Sequence, residues 1–226
     1  MEPQVQRLVD KAWKRYRETP QDQRLCKTTL AQIVTGKLNA LSLQEAPSAP
    51  PAAAFVPMDG FHLTRAALSA MPDPATAHAR RGAPFTFDAP KFLSLVRSLR
   101  GPVSPSATIF APSFDHAVKD PKEDDIAVLP THRIVVLEGN YLALDKDVWR
   151  DAAALLDELW FVEVDFEVAR GRLRERHVRA GIVETLEEGD RRAMESDLVN
   201  GREVVDYRLQ VHELVQSRED GSWAHD

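Results

Sequence analysis

Two acids, one lysine and a helix crowded with arginines are the residues best equipped for chemistry. Asp59 stands in Met58-Asp59-Gly60-Phe61-His62, after a short apolar run, and Glu138 stands in Leu137-Glu138-Gly139-Asn140-Tyr141, after a β-branched one. A carboxylate at the end of a buried strand can take a proton from a substrate hydroxyl or hold a hydrated cation near phosphates. Asp59 suits the role of base, with Gly60 admitting another molecule at close range; the alternative is a cap for the following helix. Glu138 suits Mg²⁺ beside phosphates, against the alternative of a solvated strand-end acid. Lys27-Thr28-Thr29, ahead of an amphipathic stretch, has the form of the second half of a phosphate-binding loop. The first half of such a loop needs glycines, so that consecutive backbone N–H groups can turn inward. No glycine precedes Lys27, the first in the chain being Gly36. The plain alternative is a solvated lysine beside a threonine cap.

The cations cluster in residues 166–179, which hold Arg170, Arg172, Arg174, Arg176, His177 and Arg179. At helical spacing Arg170 and Arg174 share one face, which can bridge Glu167 and Glu175, while Arg172, Arg176 and Arg179 share another. The second face is free to clamp phosphate oxygens, or each arginine is simply one half of a surface ion pair. Arg80-Arg81 lies in a long loop and could grip an anionic or polyhydroxyl ligand, or be solvated. His62, His78, His116 and His132 lack metal-ligand spacing, so no zinc site is expected.

Composition bounds the partners. The chain has 226 residues, a net charge of −6 from 29 basic and 35 acidic residues, and 43% hydrophobic content. That balance argues against a nucleic-acid or anionic-membrane coat. One cysteine, Cys26, excludes a disulfide framework and suits a reducing, cytoplasmic setting. No segment has the length of a transmembrane helix, and the N-terminus is polar rather than signal-like.

The elements that must position these residues follow from periodicity. Apolar spacing predicts helices over 5–16, 28–43, 63–70, 89–100, 146–156, 166–179 and 184–199. Strands are expected over 54–58, 133–139, 159–164 and 210–216, with an edge strand over 107–111. Pro57 counts against the first, since it cannot donate to a ladder. Residues 46–53, 71–88 and 114–125 are expected to be loops, the second long enough to be functional or mobile. Between the first helix and Lys27 there is no room for a strand. Alternating strands and helices imply one α/β domain over residues 1–226 with a mostly parallel sheet, an N-terminal helix within 1–20 and a frayed tail at 218–226. Ligands belong at the C-terminal strand ends, where Asp59 and Glu138 fall.

Together, Lys27-Thr28-Thr29-Leu30-Ala31, Met58 to His62, Arg80-Arg81-Gly82-Ala83-Pro84 with Phe87-Asp88, Phe114-Asp115-His116, Val136 to Tyr141 and Arg174-Glu175-Arg176-His177 resemble the uridine kinase, phosphoribulokinase and pantothenate kinase branch of P-loop kinases. The resemblance covers about residues 27–216. It implies a three-layer P-loop NTPase fold and transfer of the ATP γ-phosphoryl group to a hydroxyl of a small metabolite such as a nucleoside, sugar or pantothenate. It further implies that Lys27, Thr28 and Thr29 bind the nucleotide, that Thr28 and Glu138 attend Mg²⁺, and that Asp59 is the base. Arg80, Arg81, His62 and Tyr141 would line the acceptor site. Arg174 and Arg176 would belong to a lid within 166–200, with Asp197 and Asn200 near the adenine. The resemblance leaves a homodimer open and implies no nucleic-acid or membrane partner. This chain departs from the pattern by lacking the first strand and glycine-rich turn before Lys27. The sheet must close over that gap, accept a substitute segment or lose stability. The competing reading is a pseudokinase, a binding or regulatory module that turns over no ATP.

Overall fold

The computed structural model describes residues 2–19, 25–28 and 31–217. In chain order these form α1 (Glu2–Glu18), β1 (Leu25–Thr28), α2 (Ala31–Glu45), β2 (Ala53–Pro57), α3 (Arg65–Ser69), α4 (Pro74–Ala79) and α5 (Ala89–Arg100). There follow β3 (Ile109–Asp115), β4 (Asp120–Val128), β5 (Ile134–Glu138), α6 (Trp149–Ala153), β6 (Trp160–Glu163), α7 (Phe166–Arg179), α8 (Leu186–Arg192), α9 (Leu198–Asp206) and β7 (Glu213–Gln216).

β5 is the organising strand. It pairs in parallel with β1 on one side and β2 on the other, and the parallel pair β6 and β7 lies beyond β1. Its residues alternate between two cores, as a parallel strand covered on both faces must. Val135 and Leu137 join α5, α6 and β2 residues Ala54 and Val56, while Ile134 and Val136 join α1, α2 and Trp160. The result is the expected three-layer sandwich. All four apolar side chains are fully buried, worth about 1.5–3 kcal/mol apiece by area.

β1 corrects the sequence reading. Helix 28–43 was expected to begin at Thr28, with no strand before it. Instead Leu25 to Thr28 pair with Ile134 to Leu137, and α2 begins at Ala31. Leu25 to Thr28 therefore take the place beside β5. The backbone reason is sound: without β1, one whole edge of a buried strand would lack hydrogen-bond partners. Thr29 lies outside the described residues, as does the 218–226 tail.

Two loop assignments are also corrected. Residues 114–125 are no charged loop, because Ile109 to Val128 form an antiparallel hairpin with a register shift between Ala111 and Ser113. Residues 71–88 contain α4, capped by Asp73 and opened by Pro74, and a short 3-10 turn over Pro84–Thr86. Pro57 is tolerated because β2 is the outer strand of its sheet and proline stands at its last residue. Helix 184–199 is broken into α8, a π-helical turn over Ala193–Asp197, and α9.

Candidate active site

The register sets the site. Pro57 pairs with Glu138, and Thr28 with Leu137. Adjacent strands lie about 4.8 Å apart, so the ends of β1, β5 and β2 bring Lys27, Thr28, Glu138 and Asp59 to one edge of the sheet. Asp59 follows two residues beyond Pro57 in a 3-10 turn, Met58–Phe61. The helix-cap alternative for Asp59 does not hold, since the next helix is capped by Thr64, whose side chain accepts from the Ala67 N–H. Glu138 is not the solvated acid of its alternative reading. Burial pushes its carboxyl above the ordinary glutamate range, and the nearby charge of Asp59 adds to the rise.

Gly60 admits no ligand, contrary to expectation. A Cβ built there would stand 2.1 Å from the Pro112 carbonyl oxygen, so its small size serves the packing of the β3–β4 hairpin over the Asp59 turn. Gly139 has a comparable role, because a Cβ there would meet Met58 Cβ at 2.3 Å. The two acid-bearing strand ends are thus packed on each other through glycine. His62 is wedged between Phe87 and Phe114, with ring centroids at 4.0 and 5.0 Å, and its Nδ1 lies 2.8 Å from the Asp59 carbonyl oxygen. Burial lowers its pKa, outweighing the stabilising carbonyl and carboxylate of Asp59.

The residues expected to line an acceptor site are held rather than loose. Arg81 donates to the carbonyls of Lys119 at 2.6 Å and Leu63 at 3.0 Å, pairs with Asp120 at 2.9 Å, and lies over the Phe114 ring. Arg80 donates to Asn200 Oδ1 at 2.7 Å. Tyr141 is fully buried against Phe87 and Trp149 and donates its hydroxyl to the Gly82 carbonyl, so it supports the loop from beneath. Its phenol is pushed far up by burial. Gly82 has φ of +108°, a conformation other residues adopt only with strain. Beneath it the buried Thr86 hydroxyl accepts from the Gly82 N–H and donates to the Ala83 carbonyl.

The arginine helix α7 begins as expected, with Asp165 accepting from the N–H groups of Glu167 and Val168. Its expected Arg170–Glu167 pair is present, but a second acid holds the guanidinium more closely. Arg170 makes a two-pronged pair with Asp190, at 2.6 and 2.7 Å, and reaches Glu167 only at 3.6 Å. Arg172 donates to the Ser217 hydroxyl. Arg174 is half-buried with its Nε unpartnered, and Arg176 is exposed. His177 pairs with Asp197 at 3.0 Å, and Asn200 is taken up by Arg80. Sequence reasoning missed Asp190 and Glu203; the three-residue spacing of Asp197, Asn200 and Glu203 was the available signal.

Among the described residues, no three His, Cys, Asp or Glu side chains stand close enough to hold a metal by themselves. An open depression of about 490 Å³ lies between Pro84–Phe85 and the segment from Asp145 to Arg150; neither Asp59 nor Glu138 lines it. No described helix is long and apolar enough to cross a membrane.

Comparison with known proteins agrees with this geometry. No family model matches the chain. It is 52% identical over 167 residues to the ATP-dependent kinase-like protein notR' of Aspergillus versicolor, covering 74% of this chain and 95% of that one. It is 44% identical over 146 residues to the "Putative uridine kinase C227.14" of Schizosaccharomyces pombe, covering 65% of this chain. It is 36% identical over 200 residues to the ATP-dependent kinase YFH7 of Saccharomyces cerevisiae, covering 74% of this chain. The chain spans only 61% and 56% of the length of those two yeast relatives. The crystal structure of YFH7, described as "a putative P-loop containing kinase with a circular permutation", superimposes with a TM-score of 0.80 at 25% identity over 96% of this chain and 99% of that one. With its strand-end acids, its arginine helix and these relatives, the chain belongs to the ATP-dependent, uridine kinase-like family of P-loop kinases.

Proposed function

We propose that this chain transfers the γ-phosphoryl group of ATP to a hydroxyl of a small metabolite, with Asp59 as the general base. The observation that carries the reading is the meeting of Asp59 and Glu138 at the paired ends of β2 and β5, near enough for one charge to act on the other. As the acceptor oxygen bonds to the γ-phosphorus and the bond to the β-phosphate oxygen breaks, Asp59 takes the hydroxyl proton and ADP departs. The desolvated Glu138 carboxyl, with the exposed Asp59 carboxylate beside it, favours a cation, and Glu138 with Thr28 would attend Mg²⁺. When bound, that ion neutralises charge growing on the phosphate oxygens.

The other roles follow from the family resemblance. Lys27 contacts the β- and γ-phosphates, with Thr28 and Thr29 alongside, and Arg174 and Arg176 belong to the lid that excludes water. His62, Arg80 and Arg81 surround the acceptor, while Tyr141 braces their loop. Arg81 already has three protein partners, so Arg80 is the better candidate for direct contact.

A second reading, a small-molecule-binding module without turnover, is favoured by one observation: no glycine stands ahead of Lys27 to form a phosphate cradle. A panel of sugars, nucleosides and pantothenate-like alcohols, assayed for Mg²⁺- and ATP-dependent ADP release, separates the two. Acceptor-dependent ADP release supports the kinase reading. Acceptor binding with no ADP release across the panel overturns it in favour of the module.

A further inference from the structure

The row Asp197, Asn200, Glu203 ties three separate parts of the site to one helix edge. Asp197, the last residue of the π-helical turn, accepts from His177 on the arginine helix α7. Asn200, one turn later on α9, holds Arg80 of the acceptor loop. Glu203, a further turn on, pairs with Lys146, five residues after Tyr141, and its charge together with those of Arg80 and Asp197 acts on the Tyr141 phenol. Three residues spaced by one turn present a common edge, here toward the Tyr141 phenol.

We infer that α9 and its π-helical turn form a coupling element, through which the position of the arginine helix sets the position of the Arg80 loop. The inference rests on the proposed kinase function for its purpose, since it would let lid closure and acceptor ordering occur together. Asp197 and Asn200 are positioning residues in this scheme.

Three observations support it. His177 is 2% exposed and Asp197 is the described hydrogen-bond partner of its ring, whose Nδ1 has none, so α7 cannot shift at this point without carrying the turn or leaving a buried imidazole with no partner at all. Asn200 is 8% exposed, and its oxygen is the described acceptor for Arg80. Nε of Arg80 and of Arg174 are both buried without hydrogen-bond partners, so both guanidiniums retain donors that the protein does not use. The π turn that ends at the first of these contacts, Asp197, is also informative. Such turns widen a helix locally and recur at functional sites.

Hydrogen exchange on the full chain without nucleotide tests the coupling. The reporters are the amides of Ala83, Thr86 and Asp88, which donate within and beneath the acceptor loop. Asn200→Ala should speed their exchange about ten-fold, as expected for loss of one hydrogen bond to a charged group. His177→Ala, which touches none of them, should also speed them several-fold. Asn200→Asp, which keeps an oxygen for Arg80, should restore the wild-type rate. Should His177→Ala fail to fold, Asp197→Ala, which removes the acceptor for the His177 ring, is read in its place. Unchanged loop exchange in His177→Ala or its substitute, or no rescue by Asn200→Asp, overturns the coupling. Because no nucleotide is present, that outcome leaves the kinase reading intact. Absence of ADP release with coupled exchange would instead sink the kinase reading alone.

Discussion

Gly60→Ala makes the sharpest claim about how the site is built. The added Cβ would sit 2.1 Å from the Pro112 oxygen, 2.5 Å from its carbonyl carbon and 3.1 Å from the Ser113 nitrogen. Those are backbone atoms of a paired strand, and no flexible side chain can swing away. The Asp59 turn and the β3–β4 hairpin must separate by roughly 1 Å, and overpacking of this kind costs about 1–3 kcal/mol. For a chain of this size each kcal/mol lowers Tm by about 2–4 °C, so the fall should be roughly 2–12 °C. Because Asp59 is the adjacent residue, the shift falls on the proposed base, and a misplacement of about 1 Å can cost on the order of 100-fold in rate. Thermal unfolding beside acceptor-dependent ADP release measures both. Gly36→Ala is the control: it lies within α2 with nothing inside 4 Å of the new Cβ, and should stabilise the helix by up to about 1 kcal/mol. A Gly60→Ala protein with wild-type Tm and wild-type turnover would refute the packing argument.

Other outcomes follow from the same geometry. Glu138→Gln should raise Tm near neutral pH and abolish the response of Tm to added Mg²⁺ and nucleotide. The sign follows from linkage: a carboxyl raised on folding destabilises the native state only once ionised. The advantage of Glu138→Gln should therefore be absent at low pH and appear as pH rises through and above the ordinary glutamate range. A pH-independent difference in thermal scans would contradict the burial argument. Tyr141→Phe removes the donor to the Gly82 carbonyl and should cost about 1–3 kcal/mol in denaturant titrations. It should raise the KM for acceptor more than that for ATP, and an unchanged acceptor KM would show that the loop needs no support from beneath.

The sequence made the buried strands legible because their signal is local. The run from Ile134 to Leu137 could only be a strand covered on both faces, and it carried Glu138 to the right edge. α5 and α7 matched their expected bounds, and in the structure the side chains of Asp88 and Asp165 cap them, a local signal at each helix start. β1 was illegible for the opposite reason. Leu25 to Thr28 has little strand character of its own and is recruited by the open edge of β5, a tertiary demand. The β3–β4 hairpin was hidden by its charges: Lys122, Glu123, Asp124 and Asp125 stand on a strand with mostly exposed residues, where burial imposes no apolar alternation. At the site, the acids were visible from their strand-end positions. The role of Gly60 was not, because the Pro112 carbonyl that excludes a side chain comes from a segment about fifty residues away in sequence.

The central claim is that Asp59 accepts the proton of the incoming hydroxyl. Asp59→Asn keeps the shape of the side chain and removes its basicity, so it should retain ATP affinity by calorimetry while losing acceptor phosphorylation by roughly 100- to 10,000-fold, measured with γ-labelled ATP. Retained ATP binding with lost transfer is the predicted result. Transfer at the wild-type rate would contradict the account.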